Sequence, residues 1–394
     1  MAGREDMENW TIRLAAAVLA LLTAACAGPS LPGRAHGRPS PSPSASAAAR
    51  PGSIDAFVPQ AVSFVESHRG LRFKQPVKVN HLSDAEFSQR IVSLQRRDRA
   101  DTDRQAKLYR ALGLVGRDVD VEKAEEELLG GNVVGYYDPK TKELVVRGDT
   151  ATVSVKHVVV HELTHALQDQ WFGLDANQKD MTDDQALAYI SLVEGDAVRI
   201  ERAYVASLSS GERDQLARAD AGSGGTPSGV PRVLVELLSF PYVAGPPFTS
   251  ALLQARGQPG LDGAFKDRPA GTSQVLQPEL FLNGDRPQTV SEPAADGAAF
   301  DRGVLGEVQT GVLLESAVAS GGLTRDQEQV AAHAWAGDRY VAWSSGDSYC
   351  LRVRFAARTP SGAAALGSAL QKLTGTNPHA QVDAGPQPVF TSCG

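Results

Sequence analysis

The chain has 394 residues, of which 42 % are hydrophobic and 22 % charged, the composition of a folded globular protein rather than a fibrous or wholly disordered one. Its formal net charge is −7, and no basic block argues for nucleic acid. The mild acidity by itself names no partner.

The first element is not fold. Leu14 to Ala25, LAAAVLALLTAA, is an apolar run after Arg13 that is too short to span a bilayer comfortably. Small residues close it, so residues 1–25 read as a secretory signal peptide. Glu5, Asp6 and Glu8 fit the leading region of such a signal poorly, and a start at Met7 improves the match. Cys26 follows directly, and LTAAC resembles the lipobox of bacterial lipoproteins, although Thr23 stands where an aliphatic residue is preferred. The resemblance implies a lipid on Cys26 and a secreted protein held to the outer face of the bacterial cytoplasmic membrane. An ordinary signal peptide with an incidental cysteine is the alternative. Residues 26–53, rich in Pro, Ser, Ala and Gly, cannot bury a core and read as a disordered tether.

The remaining cysteines are Cys350 and Cys393. Export implies an oxidising compartment, where an even pair bridges, and setting Cys26 aside leaves such a pair. A Cys350–Cys393 disulfide is expected. Neither has a partner at metal-binding spacing.

From Ile54 onward the chain is longer than one core usually covers, so two lobes are expected, 54–218 and 230–394. The fold class is α+β. Ile54 to Gly70 has helical spacing, PVKVNHLS alternates like a strand, and Asp84 to Leu114 is helical. NVVGYYDPKTKELVVRG reads as a β-hairpin around DPKTK. A helix follows from about Thr152 to Trp171, stopped by Gly173. Another begins at Thr182 or Asp183, either of which can cap it. Ala219 to Gly229 is a Gly-rich loop. The second, mixed α/β lobe opens near Pro231 with a helical stretch that Pro241 and Pro246–Pro247 should interrupt. It ends in two strands, DRYVAWSS and SYCLRVRFAAR, and a helix, SGAAALGSALQKLTG.

The chemistry lies in the helix VKHVVVHELTHALQDQWFGL. His161-Glu162-Leu163-Thr164-His165 is an H-E-x-x-H run. Residues four apart project from one helix face about a turn apart, so both imidazoles can converge on one Zn2+. Glu162 is offset by about 100° and can reach a water on that ion as general base. A catalytic zinc needs a third protein ligand and an open position. No third histidine follows His165 at a ligating spacing, so a carboxylate must come from elsewhere. Glu194, in SLVEGDAVRIE on the next helix, is the best candidate, with Gly195 beside it permitting close packing; Asp196 and Glu201 compete. His157, one turn before His161, reads as structural or supporting rather than ligating, since a catalytic zinc takes three protein ligands.

An HExxH helix followed by a glutamate on a second helix resembles the gluzincin, thermolysin-like clan of zinc metallopeptidases. HELTHALQDQ is similar to the active-site helix of that clan, and YYDPKTKELVV to its active-site sheet edge. Together with LVEGDA, SFPYVAGPPF, GTSQVLQPELF and WAGDRYVAW, the chain also resembles a little-characterised bacterial family of metallopeptidase lipoproteins. The resemblance implies a zincin-like lobe of hairpin, HExxH helix and glutamate helix. It implies one catalytic Zn2+ held by His161, His165 and Glu194, with Glu162 as the base. Thermolysin-type enzymes carry an Asp four residues after the ligand glutamate, to support a ligating histidine. Val198 stands there, so Asp169 or Asp196 would have to supply that support. The clan's additional transition-state donor does not map; Tyr242, His333 and Tyr340 are candidates. The expected substrate is a peptide or protein, added as a strand along 132–136 or 144–146. The alternative is a catalytically weak or inactive zincin-like lipoprotein that binds a peptide or a protein partner.

Overall fold

A computed structural model describes residues 50–394 apart from 97–98, 130–132, 175–180, 222–228 and 376. The expected signal peptide, Cys26 and nearly all of the tether lie outside the described residues. The fold is mixed α+β. In chain order its elements are α1 (Ile54–Arg69), β1 (Lys78–Leu82), α2 (Asp84–Arg96), α3 (Arg99–Ala111), α4 (Val121–Leu129), β2 (Gly135–Asp138) and β3 (Glu143–Arg147). Then come α5 (Val153–Phe172), α6 (Asp183–Ser207), α7 (Ser210–Ala221), α8 (Arg232–Ala264), α9 (Thr272–Leu276) and α10 (Pro278–Asn283). The C-terminal part holds β4 (Ala299–Gly303), α11 (Gly306–Ala319), α12 (Arg325–His333), β5 (Trp335–Ser345), β6 (Ser348–Ala357), α13 (Pro360–Leu373), β7 (Gln381–Asp383) and β8 (Val389–Cys393).

Two sheets organise the chain. The first has the order β1-β3-β2, with β1 parallel and β2 antiparallel to β3. Its centre is therefore β3, and Leu144–Val146 are paired on both sides. A peptide cannot add there; the outer side of β2 is the edge that faces α5. The second sheet is antiparallel, β4-β5-β6-β8-β7. Cys350 and Cys393 face each other across β6 and β8 and are joined by a disulfide, as expected.

The long helix α8 shows a difference from expectation. Pro241, Pro246 and Pro247 lie inside it rather than breaking it, and it bends instead at Gly257, whose φ is 63°. Each internal proline removes a helix bond. The loss is offset because α8 buries Leu237, Phe240, Phe248 and Leu252 in the same core as Tyr189, Leu192 and Val193 of α6. A second core lies between the C-terminal sheet and helices α11 and α13, around Trp335, Phe355, Leu366 and Leu370. Helix α3 serves both: Ala106 and Tyr109 enter the first core, Leu108 and Ala111 the second. Arg104 on the same helix pairs with Asp183 at the start of α6 and with Asp301 of β4. No helix among the described residues is long and apolar enough to cross a membrane.

Candidate metal centre

Helix α5 starts where Thr152 accepts a hydrogen bond from Val155 N and ends at Gly173, which takes the left-handed conformation and donates to Asp169 O. Its middle, His157 to Asp169, is buried all round, as in a helix enclosed by other elements. Helix α6 begins with a capping box: Thr182 accepts from Gln185 N while the Gln185 side chain accepts from Thr182 N. Helix α6 also packs against α8, and the two backbones come close at Gly195. A Cβ there would lie 2.3 Å from the carbonyl of Gly245 on α8, and a Cβ on Gly245 would lie 2.2 Å from Ser191 O. The contact seats α8 directly against the turn of α6 that carries Glu194.

His161, His165 and Glu194 meet in this buried layer and form a group that can hold a metal ion, their ligand atoms all lying within 4.8 Å of one another. His161 Nε2 is 3.0 Å from His165 Nε2, and Glu194 Oε2 is 3.2 Å and 3.3 Å from the two nitrogens. Their hydrogen bonds set which ring nitrogen faces the cluster. His161 Nδ1 lies 2.9 Å from Glu201 Oε2, an acceptor only, so Nδ1 carries the proton. Gln168 donates its amide N–H to Val193 O and Asp196 Oδ2, which turns its carbonyl oxygen toward His165 Nδ1 at 3.0 Å. Both Nε2 atoms are then turned inward and converge beside the Glu194 carboxylate. That donor set, two imidazoles and one oxygen, can hold a metal ion.

Glu162 supplies a second sign of fit. Its Oε2 accepts from Tyr137 N of β2 at 2.7 Å, while its Oε1 is buried without a partner. A bare carboxylate oxygen in the core is costly unless something polar completes it. Burial raises the Glu162 carboxyl above its ordinary range. Glu194 behaves oppositely: burial opposes its ionisation, but His165 and His161 bring it down to about 2. For His161, burial favours the neutral ring, and Glu194 and Glu201 more than reverse that, raising it well above the ordinary value.

The supporting groups differ from those expected. Asp169 touches neither histidine: it accepts from the Tyr137 hydroxyl, Lys142 Nζ and Leu174 N, fastening the hairpin and the helix end. Asp196 acts at one remove, through Gln168, and is itself held by buried Arg69 at 2.6 Å and by Arg199 at 2.7 Å. Val198 is in the apolar core. Glu201, weighed in the sequence only as a rival ligand, takes the place beside His161, and its other oxygen lies 2.9 Å from His157 Nδ1. The signal was its position seven residues after Glu194, two turns along one face. Tyr242 stacks on His161 with ring centroids 6.4 Å apart, and its hydroxyl is hydrogen-bonded to Glu194. His333 and Tyr340 are elsewhere, bound to Glu307 and Asp301.

Comparison with known proteins is sparse. Residues 292–391 match the DUF8575 family, described as a domain of unknown function. That match covers the C-terminal sheet and its helices and leaves the His161–Glu194 centre outside it. No curated protein and no solved structure matches the chain.

Proposed function

We propose that the chain is a zinc-dependent metallopeptidase of the gluzincin type, secreted and anchored by a lipid on Cys26 to the outer face of the bacterial cytoplasmic membrane. In this reading β2–β3, α5 and α6 form a zincin-like lobe. The observation that carries it is the buried convergence of His161 Nε2, His165 Nε2 and Glu194 Oε2, with the unpartnered Oε1 of Glu162 beside it. His161, His165 and Glu194 would hold the ion, which when bound supplies Lewis acidity and an acidified water. Glu162 Oε1 takes a proton from the attacking water and returns it to the leaving amine, while Tyr137 N holds the other carboxylate oxygen still. Tyr242 keeps Glu194 oriented through its hydroxyl. The substrate is a peptide or protein, which would add along the outer side of β2 once that edge, buried in this conformation, opens.

A second reading rests on burial. His161 and Glu162 are 0 % exposed, Glu194 2 % and His165 4 %, so the centre is closed to a polypeptide in this conformation. That favours a zincin-like lipoprotein that binds a partner and cleaves slowly or not at all. A peptide-library digest with the full chain, with and without chelator, separates the two. Chelator-sensitive cleavage that Glu162→Gln abolishes, with metal retained, upholds the peptidase. Unchanged cleavage by Glu162→Gln refutes the general base, and bound zinc without any cleavage supports the binder.

A further inference from the structure

Three histidines stand at one-turn intervals, 157, 161 and 165, yet only two reach the ligand cluster. His157 is 4 % exposed, and its Nδ1 is 2.9 Å from Glu201 Oε1. The other oxygen of the same carboxylate is 2.9 Å from His161 Nδ1. We infer that Glu201 is a shared positioning carboxylate, fixing His161 with its Nε2 turned to the ligand cluster, and that His157 serves as the buttress that fixes Glu201. This rests on the metal-centre reading given above.

The geometry argues for a chain of restraint rather than a pair of separate contacts. A glutamate side chain has three rotatable bonds, and a single hydrogen bond to His161 would leave the carboxylate free to rotate about the last of them. A second bond, to the other oxygen, fixes the plane. His157 and His161 are four apart on α5, so their rings are a turn apart on one face, the spacing that the two oxygens of one carboxylate can bridge. Glu201 is 14 % exposed at its side chain and reaches both from α6. The carboxylate facing His161 Nδ1 is thus held between two helices. If Glu201 were replaced by an amide, one of the two histidines would meet an N–H2 group instead of an acceptor. That histidine would have to accept at Nδ1 and carry its proton on Nε2. For His161 this is the tautomer that cannot ligate.

The test uses the full chain and four variants: Glu201→Gln, His157→Phe, His157→Gln and the double variant Glu201→Gln/His157→Phe. Zinc affinity is measured by competition, and nitrogen-15 NMR of histidine-labelled, metal-free protein reads the imidazole N–H groups directly. The wild type is expected to show exchange-protected Nδ1–H groups on both His157 and His161, and Glu201→Gln to lose one of them. Glu201→Gln should weaken zinc roughly ten- to a hundredfold. His157→Phe should weaken it less, and His157→Gln, which keeps a donor, should restore most of that loss. Because His157 acts through Glu201, the double variant should bind zinc no worse than Glu201→Gln alone. Additive losses in the double variant overturn the inference, as does absence of the protected Nδ1–H groups from the wild type. A wild type that shows both groups but binds no zinc upholds the arrangement around Glu201 and overturns the metal reading instead.

Discussion

Replacing Gly195 by alanine sets two helices against each other. The added methyl carbon would sit 2.3 Å from both C and O of Gly245 and 2.8 Å from its Cα. Carbon atoms pack comfortably at 3.5–4.0 Å, so α8 must retreat by about 1 Å. No side chain can turn aside, because all three obstacles are backbone. Overpacking of this kind costs about 1–3 kcal/mol, and backbone on both sides places it at the upper end. Alanine regains about 1 kcal/mol of helix propensity, leaving a net loss of about 2 kcal/mol. The more telling effect is local. Glu194 precedes Gly195, and Tyr242 lies one turn before Gly245, so a 1 Å separation pulls the Tyr242 hydroxyl from Glu194. A misplacement of that size lowers turnover about a hundredfold where the geometry is catalytic. Urea denaturation measures the first effect, and zinc titration with a single-turnover cleavage assay the second. Gly263→Ala, at an exposed helical site with nothing within 4 Å, is the control and should leave metal binding untouched. A Gly195→Ala protein with wild-type stability and zinc affinity would refute the claim that this contact builds the centre.

Further outcomes are expected. Glu162→Gln should retain metal and lower peptide cleavage by about two to four orders of magnitude, read by single-turnover assays against the wild type. Cys350→Ser opens a loop with a sequence separation of 43 and should cost about 2–4 kcal/mol in denaturant melts without changing zinc affinity. Asp184, buried and hydrogen-bonded to Thr272, has its carboxyl raised by burial from 3.8 to about 7. Between those values the folded chain keeps a proton that the unfolded chain has lost, so its contribution falls as pH rises from about 4 to 7. Asp184→Asn should remove about 4 kcal/mol of that decline, measured as the difference between the two proteins' melts at the two pH values; parallel profiles would refute it.

How much of this was legible depended on where the determining contact lies. Helix α5 was legible at both ends because its signals are local: Thr152 at the cap, Gly173 where a left-handed turn is needed. The same holds for Thr182 and for the hairpin. His161, His165 and Glu194 were legible as a set because the chemistry of a metal site demands them, and the fold brings them together. The supporting groups were not. Asp169 shares a face with His165, yet the hairpin claims it through Tyr137 and Lys142, contacts between elements that no spacing on α5 reveals. The continuity of α8 through three prolines was equally hidden, since it depends on apolar burial against α6 rather than on local preference. Tyr242 was a name among several until the approach of Gly245 to Gly195 showed where its ring must lie.

The enclosure of the ligand group also sets a clock. An ion among side chains that solvent does not reach cannot be lifted out by a chelator that has no way in. Release of an ion held there would wait for a local opening of the packing around α5 and α6, an event with its own free energy and rate. Loss of metal should then become independent of chelator concentration once chelator is in excess. Loading is subject to the same wait. A folded, metal-free chain would fill slowly, whereas one that folds with the ion present would close around it.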